Sequence, residues 1–239
     1  VINFINDFVK KYGLNGNQLK LVAIISMTID HIGILAFPQY VIFRIIGRVS
    51  FPIFAYMIGE GMFYTRNRLN YLLRLLVLGI VCQVAYSFVD DGSEFNIILT
   101  WSMSVVTIIL YDKLKEKGNT IFAMAFPLYI IGIFIFCEFI PNQFAQPPYT
   151  VDYGFAGVIL PLLCYIPKKK YIKLFLLSLG MVLLVITLDY YQYWCYLSVL
   201  FLFFYNGKRG KYKMKNFFYI YYPAHLALIW IVVTGGLLL

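Results

Sequence analysis

Charge is what this sequence lacks most. Of its 239 residues, 13% are Asp, Glu, Lys or Arg, while 62% are hydrophobic. A soluble domain carries about 25% charged and about 45–50% apolar residues, so a water-soluble fold could not hide this much apolar surface. Acidic residues are the scarcer sign, 11 against 20 basic ones, for a formal charge of +9. A nucleic-acid binder needs its basic residues gathered on one folded face. Here they stand in short segments between apolar runs, which argues against nucleic acid as a partner. Cysteine is sparse too: Cys82, Cys137, Cys164 and Cys195 lie singly in apolar stretches without CxxC or Cys/His spacing. That weakens a disulfide or metal reading and leaves small apolar packing groups. No small-residue cleavage site follows the first dozen residues, so no cleavable signal peptide is expected.

What is present in abundance is aromatic: 19% of the chain, with 21 Tyr and 22 Phe, rings that suit both lipid and the headgroup level. The solvent is therefore a bilayer. Residues 1–18 read as an amphipathic interfacial segment, with Phe4, Phe8 and Tyr12 four apart and Lys10 and Lys11 at the headgroups. Residues 19–239 read as one transmembrane helical domain without internal repeat. Apolar runs predict an all-α polytopic fold of nine spans, at 19–37, 41–64, 71–89, 95–111, 121–140, 154–166, 171–188, 191–205 and 218–238. A span needs about 20 residues, so 154–166 and 191–205 are short. All of the 20 Lys and Arg residues except Arg44 and Arg48 fall in alternate loops or at helix ends beside them, whereas the other loops hold Asp90, Asp91, Glu94, Asp152 and Asp189. Cytoplasmic loops are the basic ones, so the N-terminus is expected inside and the C-terminus outside.

Arg44 and Arg48 lie inside the second span, where an arginine costs about 2.5–3.5 kcal/mol on insertion scales and marks a functional site by default. Four residues apart, they share a helix face. Pro52 cannot donate to the Arg48 carbonyl, so a kink is expected there. Counting roughly 1.5 Å per residue from the outer ends, His31 lies about 9 Å deep and Arg44 and Arg48 about 6 and 12 Å. Asp30, Gln83 and Thr100 fall in the same layer, which predicts a polar chamber in the outer half of the bilayer. Asp30 and His31 diverge by about 100° on a helix, so Asp30 is expected to pair with Arg44 or Arg48, leaving His31 for substrate. His225, counted from Phe218, falls in a different, more cytoplasmic layer. Each residue also has a structural reading: His31 as an interhelical bond, Arg44 as an interfacial anchor, Gln83 and Thr100 as links between helices, Glu60 as partner of the Arg66–Arg68 helix end, and the basic loop as a topology signal.

The stretches 15–33, 43–67, 71–76, 96–100, 152–158, 206–210 and 218–226 resemble the TraX family of membrane acetyltransferases. The Asp30–His31 pair, the RxxGRxxFP run from Arg44 and the YPxH run ending at His225 carry most of the likeness. The resemblance implies a multi-pass protein of the bacterial plasma membrane that moves acetyl groups from cytosolic acetyl-CoA, as co-substrate and without a metal. The acceptor would be an extracytoplasmic hydroxyl or amine on a polysaccharide, glycolipid or peptide. It implies His31 and Asp30 as catalytic residues, His31 being a general base or a transient acyl carrier. Arg44, Arg48, Gln83, Asn96, Thr100 and Asp152 become oxyanion or substrate-binding candidates, and Lys208, Arg209, His225 and Glu60 cofactor-binding ones. Lipid and acetyl-CoA are the expected partners, and self-association is left open. A proton-coupled transporter or flippase using Asp30, His31, Arg44 and Arg48 is the second reading, although no matching halves with interrupted helices are visible.

Overall fold

The computed structural model describes residues 2–86, 94–116, 119–143, 148–212 and 214–235. Asp90 and Asp91 lie outside the described residues. Helices α1 (Ile2–Tyr12), α2 (Gly16–Ala36), α3 (Val41–Gly47), α4 (Ser50–Tyr64), α5 (Arg68–Tyr86) and α6 (Ile97–Lys115) come first. Then follow α7 (Thr120–Phe134), a π turn at Ile135–Phe139, α8 (Ile140–Gln143), α9 (Gly154–Tyr165) and α10 (Lys170–Thr187). A 3-10 helix at Tyr190–Tyr196, α11 (Leu197–Phe203) and α12 (Lys215–Thr234) complete the chain. One departure from an all-helical chain is a parallel pair of two-residue strands, β1 (Glu94–Phe95) and β2 (Thr150–Val151).

Among the described residues, six helices are long and apolar enough to cross a membrane: Gly16–Ala36, Val41–Tyr64, Ile97–Lys115, Thr120–Phe139, Lys170–Thr187 and Asn216–Val233. The other three expected spans differ. Helix α5 has 19 residues but opens on Arg68 and holds Arg74. Helix α9 has 12 residues, and 191–205 is a 3-10 turn running into a seven-residue helix. Side-chain chemistry explains that last case: the Asp189 carboxylate accepts the Gln192 amide, starting a tight turn where an apolar count sees only continuous aromatic residues.

The chain divides into two compact units, residues 1–57 with 189–239, and residues 58–188. In the first, α2 starts three residues before the expected Leu19, because Asn15 and Gln18 form a capping box. The Asn15 side chain accepts the amides of Asn17 and Gln18, and the Gln18 side chain accepts that of Asn15, satisfying donors that a helix start leaves open. The carbonyls of Lys208 and Arg209 take the amides of Gly16 and Asn17 at 2.7 and 3.1 Å, so the basic loop docks on the helix start. Helix α3 stops at Gly47 and α4 begins at Ser50. This is the expected break, with Pro52 in the first turn of α4 where its missing N–H costs nothing. In α1, Phe4, Phe8 and Tyr12 are exposed and Val9 is buried.

The second unit packs α6 against α5, α7 and α9, and α9 against α10. Asn96 caps α6, its side chain accepting the Ile98 amide. The exposed residues of α7 include Ile121, Met124, Leu128 and Ile131, a spacing that lays apolar side chains toward lipid. All four cysteines are buried free thiols.

Candidate functional site

The expected pairing of Asp30 is present and goes further than one partner. Arg44 Nη1 donates to Asp30 Oδ2 at 2.8 Å, and Arg48 Nη2 donates to both carboxylate oxygens at 3.0 and 3.2 Å. One carboxylate thus holds two guanidiniums. The side chains of Asp30 and Arg48 are 13% and 6% exposed, that of Arg44 33%. Arg48 is therefore sealed in, while Arg44 keeps one edge open. Buried ions hold together only when paired and hydrogen-bonded. A single carboxylate is thus shared between two positive charges.

Helix packing makes this geometry possible. Gly47 stands where any side chain would overlap the Asp30 carboxylate, and a methyl at Gly33 would overlap Phe43. Asp30 with Gly47 and Gly33 with Phe43 are reciprocal contacts of α2 on α3, a close approach that only small residues permit. The sequence reading missed both glycines. Their signal is the position of Gly47 between the two arginines.

His31 lies on the neighbouring face of α2, and there the structure corrects the depth count. His225 is not in a separate cytoplasmic layer: His31 Nδ1 and His225 Nε2 are 2.9 Å apart, with the rings stacked at 5.1 Å. His225 stands in the middle of α12 (Lys215–Thr234) rather than near its start. The reason is register. Helices α2 and α12 run parallel, and contacts from Asn206 on Gly13, Asn17 on Tyr212, Tyr221 on Thr28 and His225 on His31 keep a separation of 193–195 residues. The docked loop sets this register, and α12 begins at Lys215 rather than Phe218. Tyr221 and Thr28, also missed, extend the contact. Thr28 donates to the Ile24 carbonyl, so the Tyr221 hydroxyl donates to Thr28 Oγ1 at 2.7 Å. The Tyr221 ring lies parallel to His225 at 5.1 Å.

The remaining candidates fall into separate places. In the second unit, Asn96 Nδ2 donates to Gly79 O and Gln83 Oε1, while Gln83 Nε2 donates to Glu94 O. Thr100 is fully buried and donates to the Asp152 carbonyl at 2.9 Å. Gln83, Asn96 and Thr100 thus link α5, α6 and the β2–α9 turn, the structural role expected of Gln83 and Thr100. Asp152 has its side chain exposed. Glu60 pairs with Lys173 instead of the Arg66–Arg68 helix end, and Arg68 binds Asp112 and Tyr165. Lys173, expected near the start of a span, is buried within α10. Lys208 and Arg209 spend their carbonyls on α2 and keep exposed side chains. Among the described residues no His, Cys, Asp and Glu cluster could hold a metal ion.

A helical chain with six helices of membrane-crossing length, which buries an Asp–Arg–Arg cluster beside a histidine pair, is a membrane protein with a polar centre inside apolar helices. The chain belongs to the TraX family, whose model, described as TraX protein, matches residues 15–233. It is similar to the probable fimbrial assembly protein FimC, serogroup H1, of Dichelobacter nodosus, with 27% identity over 246 aligned positions covering 89% of this chain and 93% of that protein. A shorter likeness, 39% over 66 residues, links 28% of the chain to 25% of the uncharacterized protein RP591 of Rickettsia prowazekii (strain Madrid E). No solved structure matches the chain.

Proposed function

We propose that this protein transfers an acetyl group from cytosolic acetyl-CoA to a hydroxyl or amine of an exported acceptor, with His31 as general base. The observation that carries the reading is the placement of a hydrogen-bonded imidazole one residue from a carboxylate that holds two guanidiniums. His31 removes the acceptor proton as the acceptor's oxygen or nitrogen bonds the acetyl carbon. The C–S bond breaks, and the CoA sulfur leaves with that proton. A developing oxyanion at the acetyl carbonyl needs a fixed positive group, and the open edge of Arg44 offers one. The CoA phosphates meet the exposed Lys208 and Arg209, and the thioester arm runs along α2, about 22 Å from Gly16 to His31 at 1.5 Å per residue.

Purified protein in detergent, incubated with acetyl-labelled CoA, is expected to hydrolyse or transfer the label slowly. His31→Ala should lower that rate by about 10²–10⁴, the usual range for a general base. Equal rates in both proteins would remove the reading. A second reading, as a non-catalytic assembly factor for fimbriae, takes its support from the name of the Dichelobacter relative. It predicts no label turnover, and defective assembly that His31→Ala leaves unchanged.

The proposal includes nine crossings of the bacterial plasma membrane with the N-terminus inside, since the basic segments alternate along the chain. A cysteine at Glu94 should react with an impermeant thiol reagent from outside, and one at Lys113 should not. The reverse pattern overturns this topology.

A further inference from the structure

The hydrogen bonds around His225 decide which nitrogen of His31 carries the proton. A backbone carbonyl only accepts. His225 Nδ1 lies 2.9 Å from the Tyr221 carbonyl, so Nδ1 is the protonated nitrogen of that ring. The state of its other nitrogen follows from charge. His225 is 5% exposed, and the nearby carboxylate of Asp30 is engaged by Arg44 and Arg48. An imidazolium there would be a buried cation set beside two guanidiniums, which an apolar interior does not tolerate. Neutral His225 therefore presents a bare Nε2, and the bond of 2.9 Å to His31 Nδ1 requires His31 to donate. Neutral His31 then has a protonated Nδ1 and a bare Nε2.

We propose that His225 is a positioning residue that locks His31 in the tautomer whose Nε2 lone pair is available, doing with a neutral ring what a carboxylate does behind the histidine of a hydrolase triad. In such a triad the wrong tautomer alone lowers turnover about 10⁴-fold. The consequence for turnover rests on the acetyl-transfer reading, while the tautomer does not. Two features favour a positioning role over simple packing. His225 is held on both sides, by the Tyr221 carbonyl and by the parallel Tyr221 ring. Tyr221 is itself tied to α2 through Thr28, three residues from His31. Thr28, His31, Tyr221 and His225 thus form a two-by-two block that fixes the direction of both imidazoles. The arrangement also moves His225 from the cofactor to the base, since its Nε2 faces His31 and not the exposed basic loop.

The test uses the whole chain, purified through a tag without histidine and labelled with ¹⁵N-histidine, so that its two histidines are the sole ring signals. In detergent micelles both rings should show a protonated Nδ1 and a bare Nε2. In His225→Phe, His31 should lose that preference and shift toward the Nε2–H form that a free side chain favours. Turnover should follow the acceptor atom. His225→Gln places an amide oxygen near the position of Nε2 and should retain turnover within about 10-fold, whereas His225→Phe and His225→Asn should lose about 100-fold or more in kcat with KM for acetyl-CoA unchanged. A His31 protonated on Nε2 in the unmodified protein, or ring signals indifferent to His225→Phe, overturns the proposal. So does a loss that appears in KM alone, or that is equal for Gln and Phe. If the tautomers are as stated but no acetyl group is transferred, the positioning geometry stands and the acetyl-transfer reading fails.

Discussion

The two units bury charge in opposite ways. In residues 58–188 the buried Lys173 pairs with Glu60, and the partly exposed Arg68 with Asp112, which also accepts from Tyr165. In residues 1–57 with 189–239, one carboxylate serves two guanidiniums, and a histidine pair stands beside it. Matched pairs complete themselves and leave nothing for a ligand. On the acetyl-transfer reading, a shared carboxylate beside a directed lone pair is completed by substrate, and its desolvation serves something other than stability. Gln83, Asn96 and Thr100 belong with the completed kind. Each is polar and lies within an apolar stretch, yet each closes its hydrogen bonds on neighbouring backbone or amide groups.

The sharpest test of this contrast is Asp30. Asp30→Asn removes the carboxylate that both guanidiniums share, and breaking a buried pair by removing one partner costs about 3–5 kcal/mol. Unfolding in detergent should record a loss of that size, and any protein that still folds should have little acetyl turnover. Arg44→Gln sharpens the point. It removes one of the two guanidiniums, the partly exposed one, so stability should fall by about 1 kcal/mol or less while turnover drops. If Asp30→Asn were neutral in both measurements, the cluster would not be the strained centre described here.

Much of this cluster was legible in the sequence, for an energetic reason. An arginine inside a span is expensive enough that two of them four residues apart announce a shared partner, and adjacency to His31 makes Asp30 the natural one. The docked loop and the register it imposes were not legible, because they depend on backbone carbonyls at positions 208 and 209 that no side-chain pattern encodes, whereas the Asn15–Gln18 capping box is a side-chain pattern that was open to reading and was passed over. Depth counted from an assumed boundary therefore separated His31 from His225, although they touch. The spans show the same limit. Long apolar helices were readable, whereas 191–205 becomes a 3-10 turn through one carboxylate cap. Glu60 was misread for a related reason: its partner Lys173 is 113 residues away and looked like part of a cytoplasmic basic cluster.

Removing the Glu60–Lys173 pair as a whole supplies the smallest expected effect, and the most informative one for the contrast. Both side chains are nearly sealed, 12% and 5% exposed, so removing either alone takes the ion-pair partner from a buried charge. Glu60→Leu or Lys173→Met should each destabilise by about 3–5 kcal/mol. Replacing both together removes the desolvation cost along with the attraction, and such exchanges in other proteins are neutral or stabilising. The double variant should therefore unfold within about 1 kcal/mol of the parent, giving a coupling energy that a double-mutant cycle measures directly. Acetyl turnover per folded molecule should stay unchanged in it. The same treatment of Asp30 with Arg48 should restore some stability but no activity. A double variant at 60 and 173 that folds normally and yet turns over slowly would return Glu60 to the cofactor-binding role its place in the sequence suggested, and would erase the distinction between a pair that finishes the fold and a cluster that waits for substrate.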